Sequence, residues 1–238
     1  MVRVRVLIVS RLSNSSGVPT LCYVTDRSSL PGVQTAGATA ALRHRVAAAA
    51  AAGVDWIQIR EKSLSGRDCV LLTREALQLA ASATASNATP TRILVNDRLD
   101  VALSEGAGGV HLGEKSLPIQ EAKWLVDARG HQKDFLIGAS CHFLRSAESA
   151  ASGGADYLFF GPVFATPSKA AYGPPQGLDR LREVCRAVSI PVVAIGGVTL
   201  ENAASCYAAG AAGIAAIRLF QDAREISSVI RALRKLAP

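Results

Sequence analysis

The feature that most constrains this chain is an alternation. Eight short runs rich in Val, Ile and Leu, at residues 21–25, 56–60, 93–96, 109–112, 135–139, 157–160, 191–195 and 213–217, are separated by amphipathic Ala/Leu/Arg stretches. Those stretches, the expected helices, fall at 38–52, 66–83, 99–105, 119–129, 144–151, 178–187, 200–208 and 223–236. Short apolar runs without polar alternation read as strands covered on both faces, and the intervening helices are the crossovers that parallel strands need. Eight such units within 238 residues predict an α/β protein: a single parallel eight-stranded (β/α)8 TIM barrel, a fold that takes about 250 residues.

Local signals agree with that reading. Ala-Ala-Gly-Val-Asp (51–55), Gly-Ala-Gly-Gly-Val (106–110), Gly-Gly-Ala-Asp-Tyr (153–157) and Gly-Ala-Ala-Gly-Ile (210–214) each place glycine after a helical run and just before a strand, where a helix C-cap calls for it. No hinge divides the chain. The one long polar stretch, residues 10–20, sets off residues 1–20 as an N-terminal extension from a barrel domain over 21–238. The apolar part of residues 4–9 is too short for a secretory core or a membrane span, so the expectation is a soluble, cytoplasmic protein.

Composition removes several classes of function. The five cysteines (Cys22, Cys69, Cys141, Cys185, Cys206) are odd in number and contain no CxxC pair, so they suggest neither a disulfide framework nor a zinc site but buried thiols. The net charge of +7 is spread along the chain with few aromatic residues among the basic ones, which argues against a nucleic-acid partner.

In a barrel enzyme the chemistry sits at the C-terminal ends of the strands. Those positions here carry Thr25 and Asp26; Gln58, Arg60 and Lys62; Asn96, Asp97 and Arg98; His111 and Glu114; Ser140 and His142; Thr166, Ser168 and Lys169; Gly196 and Gly197; Ile217 and Arg218. Gln58, Arg60 and Lys62 alternate, so one extended segment would turn all three to the same side as a holder for a diphosphate. Asp97 suits a hard cation such as Mg²⁺, with a helix N-cap as the competing reading. Ser140 and His142 share a side, but no partner acid completes a triad, and His111 reads as structural. In Gly161-Pro-Val-Phe-Ala-Thr-Pro-Ser-Lys169, hydroxyls and a lysine gather where a strand ends, and Ala194-Ile-Gly-Gly197 would let a ligand approach backbone closely. The pair suggests one bound phosphate.

Taken in order, Gln58-Ile-Arg-Glu-Lys62, Asn96-Asp-Arg98, Gly109-Val-His-Leu-Gly113, Gly138-Ala-Ser-Cys-His142, Gly154-Ala-Asp-Tyr157, Gly161 to Lys169 and Ala194-Ile-Gly-Gly197 resemble the thiamine-phosphate synthase and TenI family of barrels from residue 21 to about 222. The resemblance implies coupling of hydroxymethylpyrimidine diphosphate to hydroxyethylthiazole phosphate with loss of pyrophosphate, Mg²⁺ as cofactor, and a homodimer. It assigns Gln58, Arg60, Lys62 and Asn96 to the pyrimidine diphosphate and Asp97 to the metal. Ser140 and Lys169 go to the departing diphosphate, and Thr166, Ser168, Gly197, Ile217 and Arg218 lie around the thiazole phosphate. Two positions depart from the family pattern. Ser116 stands where a second Mg²⁺ carboxylate is usual, and Arg218 stands where a small residue is usual. The alternatives are a TenI-type thiazole tautomerase using His142 and a non-catalytic phosphate-binding barrel.

Overall fold

A computed structural model describes residues 18–34, 37–84, 90–130, 134–166 and 174–237. The strands are β1 (Thr20–Val24), β2 (Trp56–Ile59), β3 (Arg92–Asn96), β4 (Gly109–Leu112), β5 (Leu136–Cys141), β6 (Tyr157–Phe160), β7 (Val192–Ile195) and β8 (Gly213–Ala216). All eight pair in parallel with their sequence neighbours, and β8 returns to β1, closing the barrel. Around it, among the described residues, run α1 (Ala38–Ala51), α2 (Gly66–Thr84), α3 (Leu99–Ser104), α4 (Ile119–Ala128), α5 (Leu144–Ser152), α6 (Gly177–Ala187), α7 (Ala203–Ala208), α8 (Arg218–Gln221) and α9 (Ile226–Lys235).

The expected elements are present, with local differences. Residues 200–202 form a turn in which Asn202 Oδ1 accepts from Thr199 N at 2.8 Å, so α7 starts later than the apolar pattern suggests. The last helical stretch begins only at Ile226, and the short α8 immediately after β8 was not anticipated. Among the described residues, no helix is long and apolar enough to cross a membrane.

Period-2 geometry sorts the strand residues into two packing environments. Cys22, Val24, Trp56, Leu94, Leu136, Tyr157, Phe159, Val193 and Ala215 fill the barrel interior as one cluster. The alternate residues, such as Leu21, Ile57, Ile93, Leu158 and Ile214, face the helices. The barrel is therefore a packed core, and a ligand has access only at its mouth. At the opposite end the strand starts are tied by carboxylates: Asp55 Oδ2 accepts from Leu21 N at 2.7 Å and Asp156 Oδ2 from Ile137 N at 2.8 Å. The expected helix-ending glycines Gly53, Gly106, Gly154 and Gly210 all have positive φ. The five cysteines are free thiols, four buried and Cys185 half-buried.

Candidate active site

On the β2–β5 side of the mouth, short polar side chains form a directed relay. Gln58, buried at the end of β2, donates from Nε2 to Asn96 Oδ1 at 2.8 Å, and Asn96 Nδ2 donates to Asp97 Oδ2 at 2.7 Å. The other carboxylate oxygen, Asp97 Oδ1, accepts from Gly113 N at 3.0 Å and from the Ser116 hydroxyl. Gly113 N also donates to Ser116 Oγ at 2.8 Å. The N-cap reading of Asp97 therefore fails: α3 is capped by Arg98 without a side-chain bond, and the Asp97 carboxylate turns to the loop after β4. Asp97 is also the one non-glycine residue with positive φ, 60°, among the described residues. Aspartate tolerates that conformation better than most residues, and such outliers gather at functional sites.

The metal-binding potential of this corner is one carboxylate plus one hydroxyl. Among the described residues no group of three or more His, Cys, Asp and Glu side chains is placed to hold a metal ion. Oxygen donors of this kind suit Mg²⁺, which keeps waters and takes substrate phosphates as further ligands. The donor set fits the ion on those terms only.

Ser140 is not paired with His142, as their spacing suggested, but with the histidine that read as structural. Its Oγ lies 2.9 Å from His111 Nε2, and His111 Nδ1 lies 3.1 Å from Tyr157 Oη. His111 is buried, and that burial is the main reason its pKa falls to about 3, with the Arg60 guanidinium pushing the same way against the Asp97 carboxylate. The ring is thus neutral at ordinary pH. His142, just past the end of β5, gives its Nδ1 to the Gly161 carbonyl instead, a contact across to the end of β6.

The Gln58, Arg60, Lys62 alternation holds only in part. β2 stops at Ile59, Arg60 is half-buried with its backbone N–H donating to Thr25 Oγ1 at 2.9 Å, and Lys62 is exposed in the turn beyond. Beyond the strand, Glu61 turns toward the loop after β1, where both of its oxygens accept from Arg27 N at 3.1 Å. Burial raises the Glu61 pKa. Arg98 is held by Asp100 at 2.5 Å and 2.8 Å and is not presented to the mouth as a free cation.

The β6–β8 side is built from backbone. Val163 N donates to Ile195 O and Phe164 N to Gly196 O, both at 2.9 Å, zipping the post-β6 loop to the end of β7. Gly196 and Gly197 have φ of 94° and 66°. A Cβ on Gly196 would stand 2.5 Å from Pro162 Cα, and one on Gly197 would stand 2.5 Å from Ala165 O. Both glycines are thus demanded first by the chain packed against them, an aspect that reading them as ligand-approach residues overlooks. Half-buried Thr166 ends the described part of this loop, and Ser168 and Lys169 lie outside the described residues. Ile217 packs on the interior cluster, and exposed Arg218 opens α8.

Sequence reasoning missed two contributors. Tyr157 stands out in the sequence only as part of a motif, yet its hydroxyl lies against His111. Gln221 belongs to no sequence motif, yet it accepts from Tyr23 Oη at 3.1 Å and Asp26 N at 2.8 Å and donates to Asp26 O at 3.0 Å, fastening the loop after β1 to α8. A glutamine so close after an expected strand is the available signal.

The sequence model of the thiamine monophosphate synthase (TMP-TENI) family matches residues 21–220. A thiamine-phosphate synthase of Methanoculleus marisnigri is 45% identical over 186 residues, covering 78% of this chain and 83% of that one. A putative thiamine-phosphate synthase of Geobacter sulfurreducens is 42% identical over 191 residues, 79% of this chain and 84% of its own. Among solved structures, a thiamine phosphate pyrophosphorylase from Pyrococcus furiosus superposes with a TM-score of 0.75 at 33% identity, covering 91% of this chain and 94% of that one. On the fold, the ordered motifs and these relatives together, this chain belongs to the thiamine monophosphate synthase family.

Proposed function

We propose that this protein is a thiamine-phosphate synthase that joins hydroxymethylpyrimidine diphosphate to hydroxyethylthiazole phosphate and releases pyrophosphate. The observation that carries the reading is the relay Gln58, Asn96, Asp97, Ser116 lying beside Ser140 and Arg60 at one mouth. A site that only holds a phosphate has no use for this second, separately wired set of donors. In the reaction the bond between the pyrimidine methylene carbon and the diphosphate oxygen breaks, and the thiazole nitrogen supplies the electron pair of the new C–N bond. No proton needs to be removed from carbon. That accounts for a histidine kept neutral beside Ser140, since an imidazolium there would repel a developing pyrimidine-methyl cation.

The residues divide accordingly. Arg60 and Lys62 hold the diphosphate by charge, Ser140 hydrogen-bonds its leaving end, and Gln58 and Asn96 orient the pyrimidine portion. Asp97, with Ser116 beside it, would hold Mg²⁺, whose contribution is to neutralise the leaving diphosphate. Thr166, Gly197 and Ile217 border the place for the thiazole phosphate. Pyrophosphate release measured with both substrates over a Mg²⁺ titration tests this directly. Turnover that needs both substrates and the metal is expected, and its absence at saturating Mg²⁺ sinks the reading. In the same assay Ser116→Asp is expected to lower the Mg²⁺ concentration needed for half-maximal rate, by restoring a second carboxylate. His142→Ala should leave the rate nearly unchanged, since the synthase reaction has no proton for it to shuttle.

A further inference from the structure

The interior of the barrel beneath Ser140 contains a hydrogen-bonded line whose direction can be worked out. Tyr157, fully buried on β6, has its hydroxyl 3.1 Å from His111 Nδ1, and His111 Nε2 is 2.9 Å from Ser140 Oγ. A neutral imidazole carries one N–H, so two arrangements exist. If the proton sat on Nδ1, His111 would donate to Tyr157, the phenolic proton would lack an acceptor in the core, and Ser140 would turn its own proton inward to Nε2. An unsatisfied buried donor costs about 1–3 kcal/mol. If the proton sits on Nε2, Tyr157 donates to Nδ1, Nε2–H donates to Ser140 Oγ, and every buried donor is used. The hydroxyl proton of Ser140, which is half-buried at the mouth, is then left for a ligand.

The packing allows little else. The His111 ring lies 4.2 Å from Phe159 and the Tyr157 ring 4.7 Å from Trp56, centroid to centroid. Tyr157 reaches His111 only because residue 138 is glycine: a Cβ there would fall 2.0 Å from Tyr157 Cζ. Close packing of this kind holds both rings in one rotamer each.

We infer that Tyr157 and His111 are positioning residues that fix Ser140 as a hydrogen-bond donor aimed at the leaving diphosphate. The part concerning diphosphate rests on the synthase reading; the tautomer does not. Because the line is assembled before substrate arrives, Ser140 has no reorganisation to make as charge develops on the leaving oxygen, and the benefit belongs to the transition state.

Nitrogen-15 NMR of the imidazoles in the full-length protein, with His111→Gln used to assign the signals, reads the tautomer directly. The expected result is a ring with its proton on Nε2 and a bare Nδ1. In kinetics, Tyr157→Phe keeps the ring and removes the donor. It is expected to lower kcat about tenfold while KM for the pyrimidine diphosphate changes less than about twofold. In a Ser140→Ala background the same substitution should cause no further fall. An Nδ1–H signal, or an equal fall in the Ser140→Ala background, overturns the inference. If the protein releases no pyrophosphate at all, the proposed function fails, and the NMR result still decides the tautomer.

Discussion

The two halves of the barrel mouth are made of different materials. From β2 to β5 the surface is side chain: Gln58, Asn96, Asp97 and Ser116 form one line of hydrogen bonds, and His111 and Ser140 belong to a second. From β6 to β8 it is main chain: Ile195 and Gly196 carbonyls bind the Val163 and Phe164 amides, and two left-handed glycines leave room for the loop that covers them. The first half can be altered atom by atom without moving the backbone. In the second half any side chain added at Gly196 or Gly197 must displace polypeptide. The halves should thus fail differently, one in activity and the other in folding.

The largest effect is expected from Gly197→Ala. Its φ of 66° is unfavourable for alanine, and the new methyl would meet Ala165 O at 2.5 Å and Phe164 C at 2.8 Å, both backbone atoms. Strain and overpacking together predict a loss of about 2–4 kcal/mol, or roughly 5–15 °C in Tm for a chain of this size. Binding of the thiazole phosphate should be lost with it. A Tm within about 2 °C of the parent, with binding intact, would remove the distinction between the two halves.

Asp97→Asn probes the other half. Asparagine accepts the same left-handed φ and keeps an oxygen for Gly113 N, so Tm should move by less than about 3 °C. The carboxylate charge is lost, and pyrophosphate release should fall about 100-fold or more. A large drop in Tm would show that this corner is structural and not a prepared metal and diphosphate site.

The difference between the halves also explains what could be read from the sequence. The barrel was legible because period and spacing survive any choice of apolar residue: β4 and β6 lie where the Gly109-Val-His-Leu112 and Tyr157-Leu-Phe-Phe160 runs put them. The side-chain half was legible as a set of residues but not as a network. Whether Asp97 caps a helix or faces β4, and which histidine serves Ser140, depends on contacts between residues 16 to 46 positions apart. The backbone half was legible only as Gly and Pro punctuation, because its partners are amides and carbonyls that carry no residue code. The four-residue α8 has too little length to show a period at all.

His111 gives the side-chain half a pH signature. Its folded pKa of about 3 lies below the ordinary value of 6.5, so the unfolded chain binds a proton there before the folded one does. Its contribution to stability is complete above about pH 6.5 and is lost as pH falls through that value toward 3, at up to about 1.4 kcal/mol per pH unit. Denaturant melts at successive pH values should show this slope, and His111→Gln, although less stable at neutral pH, should show a flatter one. Equal slopes would mean that His111 is not the buried neutral group described.

Arg218 is expected to give the smallest effect and the finest test of the contrast. The ends of β7 and β8 are neighbours, Ile195 pairing with Ala215, so Gly196 and Gly197 border the start of α8 where Arg218 stands. If backbone does the main work of holding the thiazole phosphate on this side, an exposed guanidinium adds only a screened attraction. Arg218→Ser should then raise KM for the thiazole phosphate by about two- to fivefold at low ionic strength. It should leave kcat unchanged and lose its effect near 0.5 M salt, where the screening length is down to about 4 Å. A 50-fold rise that persists in salt would mean that the phosphate is gripped by a side chain after all. The β6–β8 half would then work by the same means as its neighbour.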